Sequence, residues 1–159
     1  MNRDRATPTP ARQLAACLAK YDPSIAAIAK GALSHLRKRL PGAVELVYDN
    51  YNALVIAFGP SSKASEALFS IAVYPRWVNL FFAQGARLPD PAKLLEGSGT
   101  KMRHIVLRQA AALQSKEIEA LIASALALAN HPIDPAQRRQ LLIKAVAAKQ
   151  RPRRTTKSG

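Results

Sequence analysis

The dipeptide Pro75-Arg76 stands between two runs of strand-forming residues, 67–74 and 77–83. A two-residue link is too short for a crossover, so the runs must pair antiparallel. Tyr74 and Trp77 then lie opposite one another, and alternation assigns every other side chain to a face. Phe69, Ile71, Val73, Val78, Leu80 and Phe82 share one face, wholly apolar and suited to helices packed on it. Leu68, Ser70, Ala72, Tyr74, Trp77, Asn79 and Phe81 share the other, which mixes aromatics with small and polar groups. This hairpin commits the chain to a sheet with two unlike sides.

The flanking sequence extends both surfaces. Residues 43–49 and 53–59 read as a second hairpin turning at Asp49-Asn50-Tyr51-Asn52, whose asparagines suit a tight turn. With a four-residue loop, Leu54, Ile56 and Phe58 join the apolar face, and Tyr48, Val55 and Ala57 the mixed one. A fifth strand over 102–108 turns Ile105 and Leu107 inward and His104 and Val106 to the mixed face, bracketed by Arg103 and Arg108. Thr9-Pro10 and Asp22-Pro23 are helix starts, a cap followed by proline in the first turn. The second helix carries Ile25, Ile28, Ala29, Ala32, Leu33 and Leu36 on one side, and ends at Arg37-Lys38-Arg39 before Pro41-Gly42. Ser115 caps a third helix with Glu117 and Glu119 in its first turn. Asp134-Pro135 predicts a last helix with Leu141, Leu142, Ala145 and Val146 inward. The expected fold is α+β, a five-stranded mainly antiparallel sheet with N- and C-terminal helices packed on one face.

A length of 159 residues suits one domain with its own core. We expect a disordered N-terminus over 1–9, a single domain over 10–148 and a disordered basic tail over 149–159. The net charge of +14 is uneven: residues 1–20 contribute +3, residues 21–130 contribute +4 and residues 131–159 contribute +7. The folded middle is therefore only mildly basic. The lone Cys17, on the apolar side of the first helix, acts as a small hydrophobe. The polar start Met1-Asn2-Arg3-Asp4-Arg5 lacks a signal-peptide core, and no apolar run reaches membrane-spanning length. The expected location is cytoplasmic, with no membrane partner.

Searching for chemistry yields little that is catalytic. His35, His104 and His131 are isolated, no histidine or cysteine pair has ligand spacing, and Glu45 and Asp49 on one strand face lie about 13 Å apart. Ser34 and His35 are helix neighbours and do not face each other. We therefore expect no catalytic residue, no metal and no cofactor: the protein is not an enzyme. Gly97-Ser98-Gly99-Thr100-Lys101-Met102-Arg103 can expose backbone amides to an anion, with Lys101, Arg103 and Arg87 as cations. It lacks both the third glycine of a dinucleotide turn and the Walker spacing, and a strand follows it. The mixed sheet face is the other candidate. Small residues ringed by Tyr48, Tyr74, Trp77 and His104, with Asn79 among them, make a shallow platform of the kind that takes a ligand or partner. The alternative is that helices, or a second copy of the chain in an oligomer, cover this face.

Four segments carry a family likeness: Tyr21-Asp22-Pro23, the run from Pro41 to Tyr51, Tyr74-Pro75-Arg76-Trp77-Val78-Asn79-Leu80-Phe81-Phe82, and the run from Gly97 to Ile105. Over roughly residues 20–128 the chain resembles the YdhG-like family, also called domain of unknown function 1801. The resemblance implies a compact α+β domain with an antiparallel sheet. Some members are described as frataxin-like intracellular iron chaperones, which bind iron through exposed carboxylates. Here the first two helices hold only Asp22 as an acid, so no iron ligand carries over. The leading expectation is a binding module that receives a small anionic ligand or a protein segment at Tyr48, Tyr74, Trp77, Asn79, Arg87, Lys101, Arg103 and His104. The alternatives are iron delivery, and weak sequence-independent nucleic-acid contact through the five cations from Lys149 to Lys157.

Overall fold

The protein is described by a computed structural model over residues 7–155. The expectations for residues 1–6 and 156–159 fall outside the described residues. Helix α1 (Pro10–Leu18) is capped by Thr9, whose hydroxyl accepts from the Arg12 amide at 3.2 Å. Helix α2 (Pro23–Arg39) follows the tight corner at Tyr21 and ends in its three cations, which favour the negative pole of the helix. Strands β1 (Val44–Asp49), β2 (Leu54–Gly59), β3 (Phe69–Val73), β4 (Val78–Phe82) and β5 (Arg103–Leu107) form an antiparallel meander. Helix α3 (Lys116–Ala127) is capped by Ser115, whose hydroxyl accepts from the Ile118 amide.

The three helices and one sheet face enclose the main core. Its sheet side is the predicted apolar set: Leu54, Ile56, Phe58, Phe69, Ile71, Val73, Val78, Leu80, Phe82, Ile105 and Leu107 are all buried. Phe69 and Phe82 meet edge to face at 5.6 Å across the β3–β4 pair. Tyr21 lies wholly inside, donating its hydroxyl to the Val73 carbonyl at 2.7 Å and accepting from the Leu54 amide. Arg39 of α2 forks onto Glu119 of α3 at 2.8 Å. Both are part exposed, so this pair orients the helices more than it stabilises them.

The C-terminal third departs from expectation. Residues 140–146 form not a helix but a sixth strand, β6 (Gln140–Val146), parallel to β1, and the sheet runs β5-β4-β3-β2-β1-β6. Without β6 the backbone of β1 would lack partners along a buried edge. Leu141 and Ile143 pack toward the helices and Leu142 toward the opposite face, the two-residue period of a strand. The expected helix start at Asp134 is a turn, in which Asp134 accepts from the Ala136 amide. It presses on Gly42, whose φ of 83° is left-handed and where a Cβ would collide with the Asp134 carbonyl, so only glycine fits. Gln137 then ties this turn to the carbonyls of Gly42 and Pro60.

The segment after β6, expected to begin a disordered tail at 149, is fixed to the fold as far as Thr155. Arg153 is only 4% exposed and pairs with the buried Asp49 at 2.9 Å. It also donates to the carbonyls of Tyr51 and Asn50, and its guanidinium lies over the Tyr21 ring. Basic composition suggested solvation, whereas a carboxylate at the end of β1 draws one of these cations inside.

Candidate functional site

All three helices occupy one side of the sheet, which leaves the other open. The strand register sets two rows of side chains across that open face. One is Leu46, Ala57, Ser70, Phe81 and His104; the other is Tyr48, Val55, Ala72, Asn79 and Val106. At the β3–β4 turn the Tyr74 amide donates to the Trp77 carbonyl at 2.9 Å, closing the expected two-residue link. Their rings stack at 5.0 Å with 23° between planes, and Trp77 remains 44% exposed. Phe81 and His104 form a second aromatic pair, 5.2 Å between centroids.

Asn79 sits in β4 between those two pairs. It is 6% exposed, and its Oδ1 has no hydrogen-bond partner among the described residues. An unpaired buried acceptor costs about 1–3 kcal/mol. The face thus combines a polar group that lacks a partner with two aromatic surfaces beside it.

The structure brings Tyr48, Tyr74, Trp77, Asn79 and His104 onto this face and separates the three expected cations from it. Arg103 is in register with the core residue Phe82 and therefore lies on the helix side of β5. Its guanidinium donates to the carbonyls of Gly99 and Met102, at 2.6 and 2.8 Å. Lys101 is exposed in the loop, where its carbonyl accepts from Ala86. Arg87 lines a small cavity of about 90 Å³ with Gln84 and His131, against the end of α3. The glycine loop has a different role from the expected anion cradle. Glu96 and His104 exchange backbone hydrogen bonds at 2.8 and 2.9 Å, so the loop covers the outer edge of β5.

Other cations reach the aromatic face instead. Beside Trp77 opens a groove of about 740 Å³ lined by Tyr74, Trp77, Asn52, Arg76, Arg151 and Arg154, with no carboxylate in its wall. Arg153 makes this arrangement, because its buried pair with Asp49 pins the segment whose neighbours Arg151 and Arg154 stay exposed. Arg151 lies over the Tyr51 ring and donates to Asn52 at 3.4 Å. Arg154 reaches the carbonyls of Ala19 and Lys20 and stands 4.0 Å from Asp22. Sequence reasoning missed this cluster by assigning residues 149–159 to a tail. A signal was present, since a helical stripe through Leu141, Leu142, Ala145 and Val146 leaves Ile143 unplaced.

The carboxylates of β1 are committed to structure. Glu45 receives both donors of Arg37 at 2.8 Å, with Arg139 at 3.4 Å. Asp49 receives Arg153, Lys20 at 3.2 Å and the Cys17 thiol at 3.3 Å. Burial alone would raise Asp49, but the donors on its oxygens, Arg153, Cys17 and Lys20, with the Gln150 amide nearby on its backbone carbonyl, outweigh it and hold the carboxyl below its usual range. Burial, with Asp49 beside it, pushes the Cys17 thiol up to about 11, the opposite of an activated nucleophile.

The arrangement defines a two-layer α+β domain with one open, aromatic sheet face bordered by arginines. No family model, curated protein or solved structure matches the chain. Among the described residues no helix is long and apolar enough to cross a membrane.

Proposed function

We propose that the chain is a non-catalytic, YdhG-like binding module whose open sheet face receives a small anionic ligand. The observation that carries this reading is the buried, unpartnered Asn79 Oδ1 between the Tyr74–Trp77 and Phe81–His104 pairs. A ligand with a flat apolar body and an N–H or O–H group would satisfy the amide and cover one of the flanking ring pairs. Its negative charge would rest at Arg76, Arg151 and Arg154 rather than at Arg87, Lys101 and Arg103. A protein segment remains the alternative occupant, and a cytoplasmic setting is part of the same proposal. Iron delivery has less support: Glu45 and Asp49, at 0% and 1% exposure, already serve arginines.

A thermal-shift screen of metabolites against the full chain tests the proposal. We expect a stabilising ligand whose effect disappears in Trp77→Ala and Asn79→Ala but persists in Arg103→Ala, on the other side of the sheet. A ligand effect equal in all three variants, or no ligand at all, would overturn it.

A further inference from the structure

The groove beside Trp77 and the open face share one aromatic edge, and the groove adds what the face lacks. Arg76 projects from the β3–β4 turn into solvent, and among the described residues it makes no ion pair or side-chain hydrogen bond. Arg151 and Arg154 approach from the pinned C-terminal segment. Three guanidinium groups therefore border a stacked pair of rings; no acid lines the groove itself, and Asp22 stands 4.0 Å from Arg154 outside it. Planar guanidinium donors match phosphate oxygens, and exposed aromatic rings match bases.

The spacing of the aromatics selects among anions. Trp77, which immediately precedes β4, and Phe81 within it are four residues apart on the same side of the chain, about 13 Å along it. One aromatic ring system cannot cover both, whereas two or three successive bases can lie on such a sheet. Between them the Asn79 Oδ1 is placed to accept from a base amino or imino group. Bases on the sheet would direct phosphates toward the arginine-lined groove.

We infer that the Trp77 face and its arginine groove bind a short single strand of nucleic acid, two or three bases stacking on the sheet and phosphates resting on Arg76, Arg151 and Arg154. This rests on the reading of the open face as a binding surface, and it differs from charge-driven contact by a tail. The site is built on a fixed segment, it uses aromatic side chains, and it discriminates against duplex, whose bases are already stacked.

Anisotropy titrations of the full chain with labelled eight-nucleotide RNA and DNA at 50 mM salt provide the test, with AMP and a duplex of the same length as further arms. Each octamer is expected to bind more tightly than AMP or duplex, with log K falling against log salt at a slope of about −2 for three phosphates. Trp77→Ala should weaken binding at least tenfold, and Arg76→Glu with Arg151→Glu should do so while flattening the salt slope. Arg153 is left intact and the melting temperature of each variant is checked, so a folding defect is seen directly. Duplex bound as well as single strand, or AMP bound as well as an octamer, overturns the inference. So does octamer affinity unchanged in these variants, or no octamer binding. A dimer by sedimentation that loses its interface in Trp77→Ala, with no octamer bound, would assign the face to a second copy of the chain. If octamers fail while a screened metabolite depends on Asn79, only the nucleic-acid step falls; if both fail, the binding face falls with it.

Discussion

The same strands build both faces of the sheet, yet the two faces are completed differently. On the helix side every inward side chain from β2 to β5 is apolar or lies at a strand end, and three helices close over it. The polar groups at its margin, Glu45 and Asp49, are matched donor for acceptor by Arg37, Arg139, Arg153 and Lys20. On the open side the small cluster of Val44, Leu46 and Ala57 is buried mainly by its neighbours, and Asn79 has an acceptor that nothing fills. Packing alone gives no reason for an amide between Ala72 and Val106. The contrast separates what holds the domain together from what it can present to a partner.

Adjacent phenylalanines on β4 provide the largest test of that contrast. Phe82 is fully buried on the helix side and Phe81 is half-buried on the open side. Phe82→Ala should lower the free energy of unfolding by about 3–5 kcal/mol through lost transfer and a cavity. Phe81→Ala should cost less than about 1 kcal/mol. Urea denaturation checks both, and equal losses would mean that the open face is a second core.

The C-terminal segment repeats the contrast within a few residues. Arg153→Ala strips the buried Asp49 of its one buried cation, leaving Lys20 and the Cys17 thiol on the other oxygen, and should cost about 3 kcal/mol, whereas the exposed Arg154→Ala should cost under about 1 kcal/mol. The same ion pair predicts an acid dependence. Asp49 is held below its unfolded value, so its contribution is complete above about pH 4–5 and disappears as the pH falls through the folded value. Unfolding curves from pH 6 down to pH 2 should therefore converge for the parent protein and Arg153→Ala. Curves that stay parallel would show that Arg153 acts by packing alone.

Much of the sheet was legible because its signals are local. The Pro75-Arg76 link fixed the register of β3 and β4, and alternation then placed Phe69 through Phe82 correctly on both faces. The site was legible only in part. Tyr74, Trp77, Asn79 and His104 follow from strand alternation, but Arg87 and Arg103 were assigned by proximity in sequence to glycines, although strand register turns Arg103 to the helix side. Residues 140–155 were misread for the opposite reason. Helix spacing at Leu141 and Leu142 is a weak local preference, and it gave way to the unpaired edge of β1 and the buried Asp49, both about a hundred residues away. Neither partner is visible from the segment itself.

The smallest predicted effect asks most directly why the open face keeps its amide. Asn79→Val replaces an unpartnered acceptor by an apolar, β-branched side chain suited to mid-strand, next to Ala72 and Val106. Removing the unpaired oxygen should stabilise the free protein by about 1 kcal/mol, read as a higher urea midpoint at unchanged slope. The same variant should lose response to any ligand that stabilises the parent chain, because the group that needs a partner is gone. Stability gained together with binding lost is the signature of a polar group retained for a ligand. A variant less stable than the parent would instead show that Asn79 is satisfied within the free domain, and the open face would then be a finished surface.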